Sequence, residues 1–158
     1  MSVVQFPDPL AGLCAYMRAQ PALASLLDPI PQNTGGLPAG VPAIFRPDIP
    51  QAMDGSMPMA CIMIRPYGGY TTLGDQRFYM KDPLIDLIAF ASQQNQATAI
   101  CRAAGTVLAQ LASPQVWENC LLYSCQLKAG PVPLPDEQTL WPACWLSVTL
   151  VHGELPAG

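Results

Sequence analysis

The residues best suited to covalent chemistry are a single histidine, His152, and six cysteines. A cysteine beside a histidine can become a reactive thiolate, because the imidazole takes up the thiol proton. Such partners meet only in the folded chain, so their spacing leaves a Cys–His pair open. We nevertheless expect His152 to lie in solvent at the end of a strand, and we predict no catalytic residue and no enzymatic activity.

The cysteines also fail to form a recognisable metal site. Cys120 and Cys125 are separated by four residues rather than two, and neither a second cysteine pair nor a histidine cluster completes a zinc site. Cys14, Cys101 and Cys144 lie within apolar patterns, where free thiols are commonly buried. The sequence therefore predicts buried free thiols, with no disulfide framework, no metal and no cofactor.

Carboxylates, glycines and aromatic residues give no stronger signal for chemistry. Four aspartates near turns are candidate acids or bases, but we expect caps or solvated loop residues: Asp75, Asp82, Asp86 and Asp136. The glycine pairs at 35–36 and 68–69 lack the lysine and the spacing of a phosphate loop. Five aromatic residues could stack on bases, but without interleaved Arg or Lys we expect core, hairpin or interface roles: Tyr67, Tyr70, Trp117, Trp141 and Trp145.

Composition favours a folded domain whose surface carries little charge. Hydrophobic residues make up 51% of the 158 residues, charged residues only 11%, and the formal net charge is −4. The seven basic residues are scattered singly, so no basic patch for nucleic acid is expected. No targeting segment or membrane-length apolar run is visible, which predicts synthesis in the cytoplasm and no membrane partner.

Two helices are predicted from apolar periodicity. The first begins at Pro9 with Asp8 as its N-cap, carries Leu10, Leu13, Cys14 and Met17 on one face, and is stopped or kinked at Pro21, before a short Leu-rich turn. The second begins after an Asn95 N-cap and runs to about Ala112. Its apolar face is formed by Ala97, Ile100, Cys101, Ala104, Val107, Leu108 and Leu111.

Four strands are predicted around these helices, at Met59–Arg65, Leu84–Ala91, Asn119–Lys128 and Trp141–His152. A short edge piece is expected at Val41–Arg46 and a long hairpin loop around Tyr67–Gln76. The predicted fold class is α+β. It has two layers, a mostly antiparallel sheet of about four strands and the long helix packed on one face of that sheet. The N-terminal helix is the remaining element.

The whole chain, residues 1–158, is predicted to form a single domain with a Pro/Gly-rich segment at about residues 28–58. Seven prolines and the run Thr34-Gly35-Gly36 make regular structure improbable there. A segment of this length is either a surface loop or an arm that becomes ordered against a partner, and both interpretations stay open at this point.

The order of elements resembles the tail terminator, or tail-completion, proteins of long-tailed bacteriophages. The resemblance rests on YMRAQPALASLL at residues 16–27, on the proline-rich passage to a strand, and on LIDLIAFASQ followed by QATAICRAAGTVLAQL. It covers most of residues 10–152 and is a pattern of elements and hydrophobicity rather than an invariant motif.

The resemblance implies a structural subunit of a ring, expected to be a hexamer, at the head-proximal end of the virion tail. Its expected partners are other copies of itself, the tail tube protein and neck or connector proteins, with DNA able to pass through the ring. By analogy, the hairpin and the segment 33–58 would make the contacts, with candidate interface residues Phe45, Met53, Met57, Tyr67, Tyr70 and Leu73. A neck or head-to-tail connector protein, or a small non-enzymatic ligand-binding or regulatory domain, are the alternatives.

Overall fold

The computed structural model describes residues 9–30, 38–46, 60–66, 72–73, 80–81, 84–111, 114–117, 120–133 and 141–153. Its helices are α1 (Pro9–Arg18), α2 (Pro21–Ala24) and α3 (Gln94–Ala109). Its strands are β1 (Ile44–Phe45), β2 (Cys61–Pro66), β3 (Thr72–Leu73), β4 (Met80–Lys81), β5 (Leu84–Phe90), β6 (Gln115–Trp117), β7 (Cys120–Pro133) and β8 (Ala143–Gly153).

Both predicted helices are confirmed, and each buries its expected stripe except for Leu10 of α1, which is only partly buried. Leu13, Cys14 and Met17 of α1 are at most 1% exposed. Every residue of the predicted apolar face of α3 is buried as well. The start of α3 differs from the prediction, because Gln93 rather than Asn95 is the N-cap, and it makes no capping hydrogen bond through its side chain.

Two polar side chains of α1 connect this helix to the sheet and to α3. The Arg18 guanidinium at the end of α1 donates from Nη2 to the carbonyl oxygen of Ile44 in β1. The Tyr16 hydroxyl donates to the carbonyl oxygen of Val107 at 3.4 Å, which links α1 to α3. These contacts connect α1 to β1 and to α3.

The sheet is built around β5 and β8. The order β1-β2-β5-β8 is hydrogen-bonded side by side, and β7 follows the other edge of β8, with β6 beyond it. β3 and β4 continue the hairpin of β2 and β5, since Pro66 pairs with Ile85 and Thr72 with Lys81. Only β1 and β2 pair in parallel among the described strands.

The α+β class is confirmed, but the prediction of about four strands is wrong. The described residues form an eight-stranded sheet. β3, β4 and β6 were not predicted because each has only two or three residues, too few for an alternating pattern. β7 was expected to end at Lys128, yet it pairs with β8 as far as Pro133 opposite Cys144.

The two-layer arrangement is also wrong, because apolar side chains are buried on both faces of the sheet. Ile62 and Ile64 of β2 face the helices, whereas their neighbours Cys61 and Met63 belong to a second, smaller cluster on the opposite face. That cluster includes Ile30, Ala43 and Phe45 from the proline-rich segment.

The described part of the proline-rich segment is therefore a core element. The Asp28 N–H donates to the carbonyl oxygen of Ala60, and the Ile62 N–H donates to that of Ala43. The Asp28 carboxylate also accepts from the Ala60 N–H at 3.0 Å. Residues 31–37 and 47–59 lie outside the described residues. The structure therefore does not test whether they form an arm or a surface loop.

Candidate interaction surfaces

His152 is a core residue of β8, which corrects the expectation of a histidine in solvent. It is 2% exposed, because β7 pairs with it at Leu122 on one side and β4 pairs with it at Lys81 on the other. Its Nδ1 lies 3.1 Å from the carbonyl oxygen of Leu150, which can only accept a hydrogen bond. The proton on Nδ1 is therefore engaged with the backbone.

The thiols are free, as predicted, and five of the six are buried. Burial, with a smaller effect of Asp28, raises the pKa of Cys61 to about 12, and burial raises the pKa of Cys125 to about 11. Burial and then a hydrogen bond with Cys144 raise the pKa of Cys101 well above its usual value. These thiols stay protonated near neutral pH, and the protonated form is a poor nucleophile and metal ligand.

The described residues contain no group of three or more His, Cys, Asp or Glu side chains that could hold a metal ion. No helix among them is long and apolar enough to cross a membrane.

One aspartate of the sequence set is buried within the sheet rather than solvated in a turn. Asp86 is 6% exposed and lies on the face of β5 opposite the helices. Its Oδ1 accepts a hydrogen bond of 2.5 Å from Ser147 Oγ in β8. The neighbouring Thr149 Oγ1 is buried without a hydrogen-bond partner among the described residues. Asp75, Asp82 and Asp136 lie outside those residues.

The predicted interface residues are only partly within the described structure. Phe45 is 2% exposed and packs in the smaller core cluster, so its side chain is occupied inside the subunit. Leu73 pairs with Met80 through the backbone in the β3–β4 ladder. Met53, Met57, Tyr67 and Tyr70 lie outside the described residues, and their role in an interface stays a prediction.

The three tryptophans have three different environments. Trp117 is 8% exposed and belongs to the larger core cluster. Trp141 is half-buried and packs edge to face on Phe90, with ring centroids 6.3 Å apart. Trp145 is 37% exposed on β8. Trp145 is therefore the most exposed of the three tryptophans and the one most accessible to a partner.

Large exposed apolar side chains occur at two places near opposite ends of β7, and Leu127 lies between them. Four large ones are substantially exposed: Val116 at 72%, Leu127 at 46%, Val132 at 43% and Trp145 at 37%. Val116 pairs with Leu121 at the start of β7, whereas Val132 pairs with Trp145 near its end. The two places are separated along the sheet by eight residue steps of β8, from Gly153, opposite Leu121, to Trp145, opposite Val132, which is about 26 Å of strand.

The first place is an open groove between α1 and β6, with a volume of about 350 Å³. Its lining residues carry no charge, and all except the polar Gln115 are small or aromatic or aliphatic: Ala11, Gly12, Ala15, Tyr16, Gln115, Val116 and Trp117. The small side chains of α1 leave the space open, and β6 forms the other wall. We call this surface the α1–β6 groove.

The second place is the surface formed by the far end of β7 and the start of β8. Val132 and Trp145 are cross-strand neighbours on it, and a shallow depression of about 100 Å³ lies among Ala129, Gly130, Val132, Trp145 and Ser147. Gly130 has φ +93°, and a Cβ there would lie 2.5 Å from the Trp145 carbonyl oxygen, so β8 requires glycine at this position. We call this surface the β7–β8 ridge.

Comparison with known proteins finds a solved structure with the same fold. No protein-family model and no curated protein sequence matches this chain. One solved structure that matches is described as "Virion of native gene transfer agent (GTA) particle". The match to a chain of that structure has a TM-score of 0.58 and 17% identity, over 90% of this chain and 92% of the other. The two chains share a fold.

The likeness extends over nearly the full length of both chains, so it concerns the whole domain rather than one supersecondary unit. At this level of identity it establishes the architecture and leaves the role of the chain to be argued from its surfaces.

Proposed function

We propose that this protein is a structural virion protein, a phage tail terminator subunit that forms a ring, caps the tail tube and joins it to the head. The observation that carries the proposal is the fold shared with a chain of a gene transfer agent virion over 90% of the present chain. Like the resemblance of the element order to tail terminator proteins, this observation favours a virion protein.

The surface supports a role in assembly. Val116 and Trp145 are exposed at separate places, and both are of types that protein interfaces favour over charged residues. Only 11% of the residues are charged, so a large part of the surface can be covered by a partner without desolvating charges.

We also propose that the protein is not an enzyme. His152 is buried in the sheet, and the thiols of Cys61, Cys101 and Cys125 are held in their protonated form. These groups serve packing rather than chemistry in this account.

The ring would be a hexamer at the head-proximal end of the tail, in contact with the tail tube protein on one side and neck or connector proteins on the other. DNA would pass through its centre without sequence-specific contacts. A formal net charge of −4 and scattered basic residues suit a channel that must not hold DNA.

The test is the mass of the purified protein by light scattering across concentration, alone and with the tail tube protein of the same virion. A hexamer, or a monomer that assembles on tubes, supports a tail terminator. A ring that ignores tubes but binds the head portal points to a neck or connector protein. A strict monomer that ignores both favours a small ligand-binding or regulatory domain.

A further inference from the structure

We propose that the α1–β6 groove of one subunit receives the β7–β8 ridge of a neighbouring copy, so that subunits associate head to tail. The inference rests on the proposed ring and names the surfaces that would build it.

A closed ring of more than two subunits needs a heterologous contact, in which two different surfaces of the same chain meet. Three of the four large apolar side chains that are substantially exposed among the described residues lie on two surfaces near opposite ends of β7, with Val116 on one and Val132 and Trp145 on the other. An association that used only one of these surfaces would leave the other exposed to water.

The groove is concave and holds about 350 Å³, whereas the ridge carries the bulky indole of Trp145 beside Val132. An apolar cavity of about 150 Å³ is already large enough for a benzene ring, so this groove has room for an aromatic side chain and its neighbour. Tryptophan is also among the residues that most often dominate interface energetics.

The chain carries a formal net charge of −4, so two copies repel each other unless uncharged surfaces meet. The seven residues that line the groove and the five that line the depression on the ridge include no charged residue. A second copy can therefore dock without bringing like charges together, which makes it the occupant that we assign to the groove.

The test uses one variant for each surface. Val116→Asp places a charge in the groove, and Val132→Asp places one on the ridge, at positions that are 72% and 43% exposed in the isolated subunit. Each variant should raise the concentration needed for half-assembly by at least about tenfold, because an unpaired charge is buried at the contact. Ala99→Asp, on an exposed position of α3 away from both surfaces, is the matched control and should assemble like the wild type.

The decisive sample is an equimolar mixture of the two variants. The Val116→Asp chain keeps its ridge and the Val132→Asp chain keeps its groove, so one intact contact can form between them. We expect a one-to-one dimer that grows no further, although each variant alone stays monomeric. If Val132→Asp does not give a folded circular dichroism spectrum, Trp145→Ser replaces it as the ridge variant.

Two outcomes would overturn the inference alone: variants that assemble like the wild type, or a mixture that stays monomeric while the wild type forms rings. A wild type that remains monomeric at every concentration, both alone and with tail tubes, would overturn the proposed function together with the inference.

Discussion

Gly12 of α1 lies directly against the indole ring of Trp117 in β6. A Cβ atom at position 12 would approach Trp117 Cδ2 to 2.5 Å and Cγ to 2.7 Å, closer than carbon atoms can pack. The absence of a side chain at position 12 is thus what allows α1 to rest on β6 and form one wall of the groove.

Gly12→Ala should therefore destabilise the protein, although alanine is the better helix former. The added methyl group must displace a rigid ring that is 8% exposed, and overpacking of this kind costs about 1–3 kcal/mol. Urea unfolding, followed by circular dichroism, measures the free energy of unfolding.

Gly105→Ala in α3 is the matched control for that substitution. A Cβ there would lie 3.6 Å from Leu146 Cδ2, an ordinary van der Waals contact, so the helix propensity of alanine should add about 0.5–1 kcal/mol. Equal effects of the two substitutions would show that the contact with Trp117 does not constrain α1.

The Asp86–Ser147 pair gives a second prediction. Ser147→Ala removes a hydrogen bond to a carboxylate that is 6% exposed, and such bonds contribute about 1.5–3 kcal/mol. Thr149→Val, on the same face of β8, removes a buried hydroxyl without a described partner and should be neutral or stabilising. Thermal and urea unfolding measure the free energy of unfolding of both variants. An equal loss of stability in both would contradict the assigned hydrogen bond.

The raised thiol pKa values predict a loss of stability in alkaline solution. The pKa of Cys61 is raised from 9.0 to about 12 in the folded chain, mainly by burial and less by Asp28. Below pH 9 the thiol is protonated in both states and has no effect on stability. Between pH 9 and 12 it ionises in the unfolded chain only, so the free energy of unfolding falls by about 1.4 kcal/mol per pH unit.

Urea titrations at several pH values between 8 and 11 measure this slope, and Cys61→Ala provides the comparison. Other groups titrate in the same range, so the informative quantity is the difference in slope between the two proteins. We expect the variant to lose stability less steeply above pH 9. Identical slopes would mean that the Cys61 pKa is not raised by folding.

Long apolar patterns in the sequence predicted the elements that form the centre of the molecule. The stripes of α1 and α3 and the alternation of Cys144, Leu146, Val148 and Leu150 in β8 match the buried residues of the structure. These elements are long enough for their period to be clear, and each buries one face against the core.

β6 and the end of β7, which contribute to the two apolar surfaces, gave weaker signals in the sequence. The three-residue strand β6 follows Pro114, which marks the end of a helix but not the start of a strand. The last residues of β7 include Gly130, Pro131 and Pro133, which are typical of loops and are tolerated in a strand only at a sheet edge or a bulge. The register shifts of β7 against β8 in this region are such irregularities.

The burial of His152 could not be predicted from its position near the C-terminus. It depends on Leu122 of β7 and Lys81 of β4 pairing with it from both sides, and both contacts join residues far apart in the sequence. Pairings of this kind are set by the tertiary fold rather than by local composition.

Electron microscopy of tail tubes, assembled from the tail tube protein with and without this protein, tests whether it is a tail terminator. We expect a ring at one end of each tube and tubes that stop growing once the ring is bound. Tubes with bare ends and unchanged growth, at protein concentrations that saturate any binding, would contradict the assignment as a tail terminator.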